Sequence, residues 1–208
     1  MDQEVVDSPL NPGFQSGSIE YKIVASLERV SEAFKALLWQ EAKEEALSPI
    51  QIQILIFLRF HSSEKCKVSY LAQEFNLTKA TISDAVKVLE QKGLIGKLTE
   101  PADTRSYTIH LTETGRNVAQ KTAVFANVLS APLQELSLGQ KEILYTSLLE
   151  LIYKLNQSGI ISIQRMCFNC RFYGIDQNGE PHFCNLLRMP LRPYELRVNC
   201  PEHRPAER

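Results

Sequence analysis

Apolar residues recur at steps of three and four along most of this chain, and that spacing predicts a mainly helical fold. Ile19, Ile23, Leu27, Val30, Phe34, Leu37 and Leu38 stripe a long helix over residues 18–46. Ser48-Pro49-Ile50-Gln51 reads as the next start: Ser48 can cap, Pro49 suits the first helical position, and Gln51 completes a capping box. The run IQILIFLRF that follows is apolar nearly all round, which predicts a buried central helix. Ser69 then caps a short helix, YLAQEF, and Asn76-Leu77 turns into another over residues 78–92, with Thr78 as its cap and Gly93 as its stop. In that helix Ile82, Val86 and Leu89 fall on the core side, with Ala85 beside them. Tyr107, Ile109 and Leu111 alternate with Thr108 and His110, the period of a half-buried strand. Residues 95–99 supply its hairpin partner, with Pro101, Ala102 and Asp103 near the tip. Thr112 opens a further helix striped by Val118, Val124, Phe125, Val128 and Leu129, bent or broken at Pro132. A second capping box, Ser137 with Gln140, starts a last helix that carries Ile143, Leu144, Leu148, Leu151, Ile152 and Leu155 and stops at Gly159.

A capped helix, a glycine stop and a hairpin in succession are the pattern of a winged helix-turn-helix, which lays one helix in the DNA major groove and reaches along the backbone or minor groove with its wing. The side chains left outward are Thr78, Lys79, Ala80, Thr81, Ser83, Asp84 and Lys87, small and polar enough to approach base edges and phosphates. Lys97 and Arg105 of the hairpin complete the expected DNA contacts. Charge changes the picture only by distribution. The 208 residues carry a formal net charge of -1. Residues 1–47 hold 4 Lys+Arg against 9 Asp+Glu, whereas residues 48–115 hold 8 against 7. The reading unit is therefore near neutral, and DNA contact depends on a few placed cations.

The amphipathic helices on either side of this unit need more partner surface than one small domain offers. A homodimer in which they interlock satisfies them and suits a palindromic operator. The division expected is a flexible arm over residues 1–17, a DNA-binding and dimerisation domain over 18–158 and a cysteine-rich module over 159–208. The first residues, MDQEVVDSPLNPG, have neither the basic start nor the apolar run of a signal peptide, and no apolar stretch is long enough to span a membrane. A cytoplasmic protein is expected, with reduced thiols. No paired carboxylates, nucleophile–base set or phosphate loop suggests an enzyme.

From about Ser18 to Gln157 the chain resembles the MarR family of bacterial regulators. The resemblance is carried by ATISDAVKVLEQKGLI, by Asp103-x-Arg105 in the wing and by LTETG just after it. It implies a dimeric winged-helix repressor or activator, expected here as a repressor, whose partners are operator DNA, a second copy and a small-molecule effector. It also implies that Arg105 contacts DNA from the wing and that Asp103 is its structural partner. Asp84 departs from the family, where arginine is frequent. A carboxylate there cannot hold a phosphate, though it can accept from a cytosine N4 donor.

The tail lies beyond that resemblance. Cys167, Cys170, Cys184 and Cys200 are spaced C-x2-C-x13-C-x15-C. A Cys-x-x-Cys knuckle can put two thiolates on one metal, and two later cysteines complete a tetrahedral set. Zinc is the expected occupant. An iron–sulfur cluster is the alternative, since Cys200-Pro201 is a sequence also seen at cluster ligands. The alternative functions are a redox- or metal-sensing regulator working through this tail, and an interaction adaptor that no longer binds DNA. Disulfides conflict with the compartment, and a redox Cys-x-x-Cys pair lacks its βαβ surroundings. His182 and His203 are expected to be exposed, with a substitute or supporting ligand role as the sharper reading; Cys66 is expected to be an ordinary loop cysteine.

Overall fold

Side-chain caps set most of the helix starts. The computed structural model describes residues 7–15, 17–100, 103–174 and 182–206, with the backbone alone for residues 15, 100 and 103–106. Helix α1 (Pro12–Gln15) is a single turn. Helix α2 (Ile19–Glu44) begins at Ser18, whose hydroxyl accepts the Tyr21 N–H, and Ala46 leaves it in the left-handed region at φ 51°. Helix α3 (Pro49–Phe60) opens in the expected box: Ser48 accepts from the Gln51 N–H and Gln51 from the Ser48 N–H. Helices α4 (Val68–Glu74) and α5 (Lys79–Gln91) form the helix-turn-helix, joined through Asn76 at φ 52°. Strands β1 (Ile95–Glu100) and β2 (Asp103–Leu111) pair antiparallel, Ile95 opposite Leu111 and Leu98 opposite Thr108. Helices α6 (Glu113–Thr122), α7 (Ser130–Gln134) and α8 (Leu138–Gln157) follow. The tail adds a small antiparallel sheet of β3 (Tyr173–Gly174), β4 (Phe183–Cys184) and β5 (Met189–Pro190), in that order.

The main core gathers α3, α4, α5 and the base of the wing. Ile52, Ile54, Leu55, Leu71, Ile82, Val86, Leu89 and Ile109 are fully buried in it. Gly115 locks the wing to α6: a Cβ there would stand 1.8 Å from the Leu94 carbonyl oxygen, so the close approach requires glycine. Thr112 bridges the same junction, donating to the Gly93 carbonyl and accepting from the Gly115 N–H. A second, smaller core joins α8 to the tail through Leu149, Met166 and Leu196.

The structure adds detail at four places. In the stretch read as an arm, Pro12–Gln15 is helical and Asp7 accepts the Tyr21 hydroxyl, while residues 1–6 and 16 lie outside the described residues. The short helix starts at Val68 with Lys67 in the cap position and no side-chain cap, so Ser69 is inside it. The helix after the wing ends at Thr122, well before Pro132. Thr122 is buried, and its hydroxyl donates back to the Val118 carbonyl. Finally, part of the apolar face of α8, including Tyr145, Leu149, Ile152 and Tyr153, packs on the tail. Among the described residues, no helix is long and apolar enough to cross a membrane.

Candidate nucleic-acid interface and the cysteine tail

Helix α5 presents one face and buries the other. Ile82, Ala85, Val86 and Leu89 are buried, whereas Thr78, Lys79, Ala80, Thr81, Ser83, Asp84 and Lys87 are exposed. Thr78 caps as expected, accepting the Thr81 N–H at 3.1 Å, and its hydroxyl also bonds that of Thr81 at 2.9 Å. Among the described residues, Lys79, Asp84 and Lys87 make no ion pair, so their charges face solvent.

Lys97 stands apart from that face. Its ammonium pairs with Glu90 of α5 at 2.6 Å and lies 4.9 Å from the centre of the Tyr107 ring. It therefore braces the wing against the helix, with its charge already balanced. Arg105 and Asp103 lie in β2. Their side chains, and Pro101 and Ala102 at the tip, fall outside the described residues, so the expected wing contact is placed only by backbone.

The four tail cysteines are all free thiols. Cys167 and Cys170 form a turn closed by the Cys170 N–H on the Cys167 carbonyl, Cys184 sits in β4, and Cys200 is on the returning segment. Together they line one cavity of about 30 Å³, walled by Phe172, Tyr173, Phe183, Leu186 and Leu191 and edged by Glu202. The Arg197 N–H donates to Cys167 Sγ at 3.2 Å. Burial pushes the Cys167 thiol up and the other three cysteines add to it, while the Arg197 N–H opposes them. Convergence on a cavity is not ligation: among the described residues, no three His, Cys, Asp or Glu side chains are arranged to hold a metal ion as they stand. The two tail histidines are half-buried rather than exposed. His182 Nδ1 meets the Tyr173 hydroxyl at 2.6 Å and His203 Nε2 meets Asn169 Oδ1 at 2.9 Å; neither lines the cysteine cavity. Cys66 is buried in the main core, where burial raises its thiol, and its carbonyl accepts the Ile109 N–H of the wing. That makes it a packed core residue.

Sequence reasoning missed the joint between tail and reading unit. The Arg165 guanidinium, buried, grips Glu74 of α4 with two bonds of 2.6 and 2.8 Å and donates to the Tyr70 hydroxyl at 3.0 Å. Its Nε donates to Asn199 at 2.7 Å. His61 completes the knot. Its ring stacks on Phe57, its Nδ1–H donates to the Phe57 carbonyl at 2.9 Å, and Nε2 is left to face Arg165 and Asn199. Burial, together with Arg165, lowers the His61 pKa against the pull of the Phe57 carbonyl. Nearby, Asn76 in the turn before α5 accepts the Ser162 hydroxyl at 3.0 Å. A cleft of about 640 Å³ opens beside the joint, between Tyr153 and Asn156 of α8, Phe168 and His203 of the tail, and Lys65 and Tyr70 of the reading unit. A lone arginine and a glutamate 91 residues away carry no local signal of their pairing.

Comparison with known proteins bears on the reading unit. Residues 47–106 match the model of the MarR family. The chain is 26% identical over 129 residues to YhbI of Bacillus subtilis (strain 168), an uncharacterized HTH-type transcriptional regulator, covering 59% of this chain and 84% of that protein. Among solved structures, it resembles S. aureus MepR in its DNA-binding conformation, with a TM-score of 0.56 and 22% identity, over 64% of this chain and 98% of MepR. The MepR–DNA complex gives a TM-score of 0.55 at 23% identity, over 63% of this chain and 96% of that one. A MarR transcriptional regulator from Methanosarcina mazei Go1 gives 0.54 at 18%, over 65% and 96%. The fold is that of a MarR-type winged helix. These relatives are transcriptional regulators, not enzymes.

Proposed function

We propose that this chain is a sequence-specific DNA-binding transcriptional regulator of the MarR type, acting as a homodimeric repressor, with a metal site of four cysteines in its tail. The observation that carries the reading is the face of α5: a capped helix N-terminus flanked by Lys79, Ala80, Ser83, Asp84 and Lys87, all exposed, on a helix whose other side is anchored in the core. Small residues let the helix enter the major groove, the lysines meet phosphates, and Asp84 selects for a base that donates, as cytosine does. The relatives named above, one of them solved on DNA, support the same use.

Dimerisation is supported by the apolar surface that the flanking helices leave open. Ile19, Ile23, Val30 and Phe34 on α2, Val124 and Val128 after α6, and Leu138 and Ile143 on α8 are all exposed. Large exposed apolar side chains recurring along the flanking helices suit an interaction site. A two-fold dimer would set two copies of α5 on successive major grooves.

The test is a binding titration of the full chain on DNA from upstream of its own gene and on random duplex of equal length. Salt-dependent binding with a clear preference for the upstream DNA is expected, and loss of that DNA control in a reporter strain should raise expression. Equal or absent binding on both duplexes overturns the reading. The adaptor alternative draws on Asp84, whose exposed carboxylate repels phosphate; it predicts that absence.

A further inference from the structure

We infer that a thiolate-bound metal centre in the four-cysteine cavity controls DNA affinity, and that Arg165 is the link between them; this rests on the reading of α5 as the DNA-contacting helix. The cavity argues for the occupant's chemistry. Four thiols from three segments face one apolar-walled space. Thiolates are costly to bury there without a cation, and soft divalent ions or an iron–sulfur cluster are the partners that thiolates select. Each thiol that ligates gives its proton to solvent; zinc binding needs no redox step, and cluster assembly takes its mixed-valence iron from a ferric salt and a thiol reductant supplied with the sulfide.

The link follows from where the cysteine-bearing segments meet. Arg165 lies two residues before Cys167, and its carbonyl accepts the Cys200 N–H at 2.8 Å. Its Nε holds Asn199, the neighbour of Cys200. Two of the three segments that carry thiols are thus tied at one residue, whose far end is clamped on Glu74 and Tyr70 of α4. Helix α4 is the partner across the turn from α5, and the turn itself is held to the tail by Asn76 and Ser162. Tetrahedral zinc wants each sulfur at about 2.3 Å, and a cluster wants its own fixed spacing. An ion or cluster held by all four sulfurs fixes the segments that carry them relative to one another. Those segments carry Arg165, and Arg165 is clamped on α4. In a dimer, a small rotation of α4 and α5 changes the spacing of the two reading helices, on which operator fit depends. Loading stabilises the joint and tightens binding.

The experiment uses the full chain, purified anaerobically, stripped with chelator, and then reloaded with zinc alone or with iron and sulfide. Metal content, visible absorption and affinity for the upstream DNA are measured on each form. Zinc leaves the protein colourless, while a cluster gives a brown protein, which separates the two sources. The loaded wild type should bind DNA roughly 5- to 150-fold more tightly than the stripped form, the usual span of coupling between sites. Arg165→Met should keep the metal content and lose that dependence; Glu74→Gln, which breaks the same clamp from the other side, should do likewise. Cys184→Ser with Cys200→Ser should lose the metal. Wild type that retains neither metal overturns the site. Retained metal with equal DNA affinity in both forms overturns the coupling, as does an Arg165→Met protein that keeps the dependence. DNA binding absent in every form removes the reading of α5 on which the inference stands.

Discussion

In the reading unit, Ile52, Ile54, Leu55, Leu71, Ile82, Val86 and Leu89 bury one another completely. In the tail, Met166 and Leu196 are buried in a small cluster shared with Leu149 of α8. The first region is held by apolar area, which is indifferent to metal and, within limits, to pH. The second is held by a small cluster, by the polar knot at Arg165 and, in the proposal above, by a metal. Arg165 itself is a buried charge, tolerable because Glu74, Tyr70 and Asn199 occupy its donors. A rigid reader joined to a conditionally held tail is a workable division of labour. The DNA-facing surface stays folded while the state of the tail varies.

The largest expected effect separates the two regions outright. Ile82→Ala leaves a cavity under α5 and should cost about 2–5 kcal/mol of global stability in denaturant unfolding. Met166→Ala, equally buried, should instead loosen the tail, seen as faster amide exchange over residues 160–206 with α3 and α5 still protected. Equal global loss from both would show that the regions unfold as one. Next comes Arg165→Met. Removing one partner of a buried pair costs about 3–5 kcal/mol, here charged to the docking of the tail, so proteolysis should release the tail first.

Acidification gives a smaller effect. The folded His61 pKa is lowered by burial and by Arg165, so the fold favours the neutral ring. Stability from this group is complete above the unfolded value of about 6.5 and declines as pH falls from there toward the lowered folded value. The protonated ring would stand beside Arg165 and Lys65, opposed by the charge of Glu74, and could no longer accept from Arg165 or Asn199. Tail docking should weaken below about pH 6.5, and a His61→Gln variant should flatten that dependence in a pH series of amide exchange. The smallest change is Thr78→Ala, expected to cost about 1 kcal/mol by removing the cap of α5, measurable as a shift in the denaturant midpoint with the tail unaffected.

What was legible in the chain was local. Ser18, Ser48, Thr78, Thr112 and Ser137 each cap by a bond to a residue three positions on, and a pattern of that length can be read directly. The wing was legible because alternation at Tyr107, Ile109 and Leu111 has a period of two. The start of α4 was not, since Lys67 offers no side-chain cap and Ser69 looked better than it is. Nor was the end of α6 at Thr122, since neither glycine nor proline marks it and Pro132 lies well beyond. Within the candidate site, the exposed face of α5 followed from helical spacing, but the engagement of Lys97 by Glu90 needed the wing folded onto the helix. Cysteine spacing suggested a shared site; that all four thiols border one cavity, and that Arg165 ties their segments to α4, depends on contacts across most of the chain.

The central claim is that the exposed face of α5 reads DNA. It is tested most directly by the salt dependence of affinity for the upstream duplex, measured for the wild type, Lys79→Ala and Lys87→Ala. The account predicts a linear fall of log affinity with log salt, and a slope smaller by about 1 for each lysine that meets a phosphate. Identical slopes in all three proteins, with undiminished preference for the upstream sequence, would contradict it.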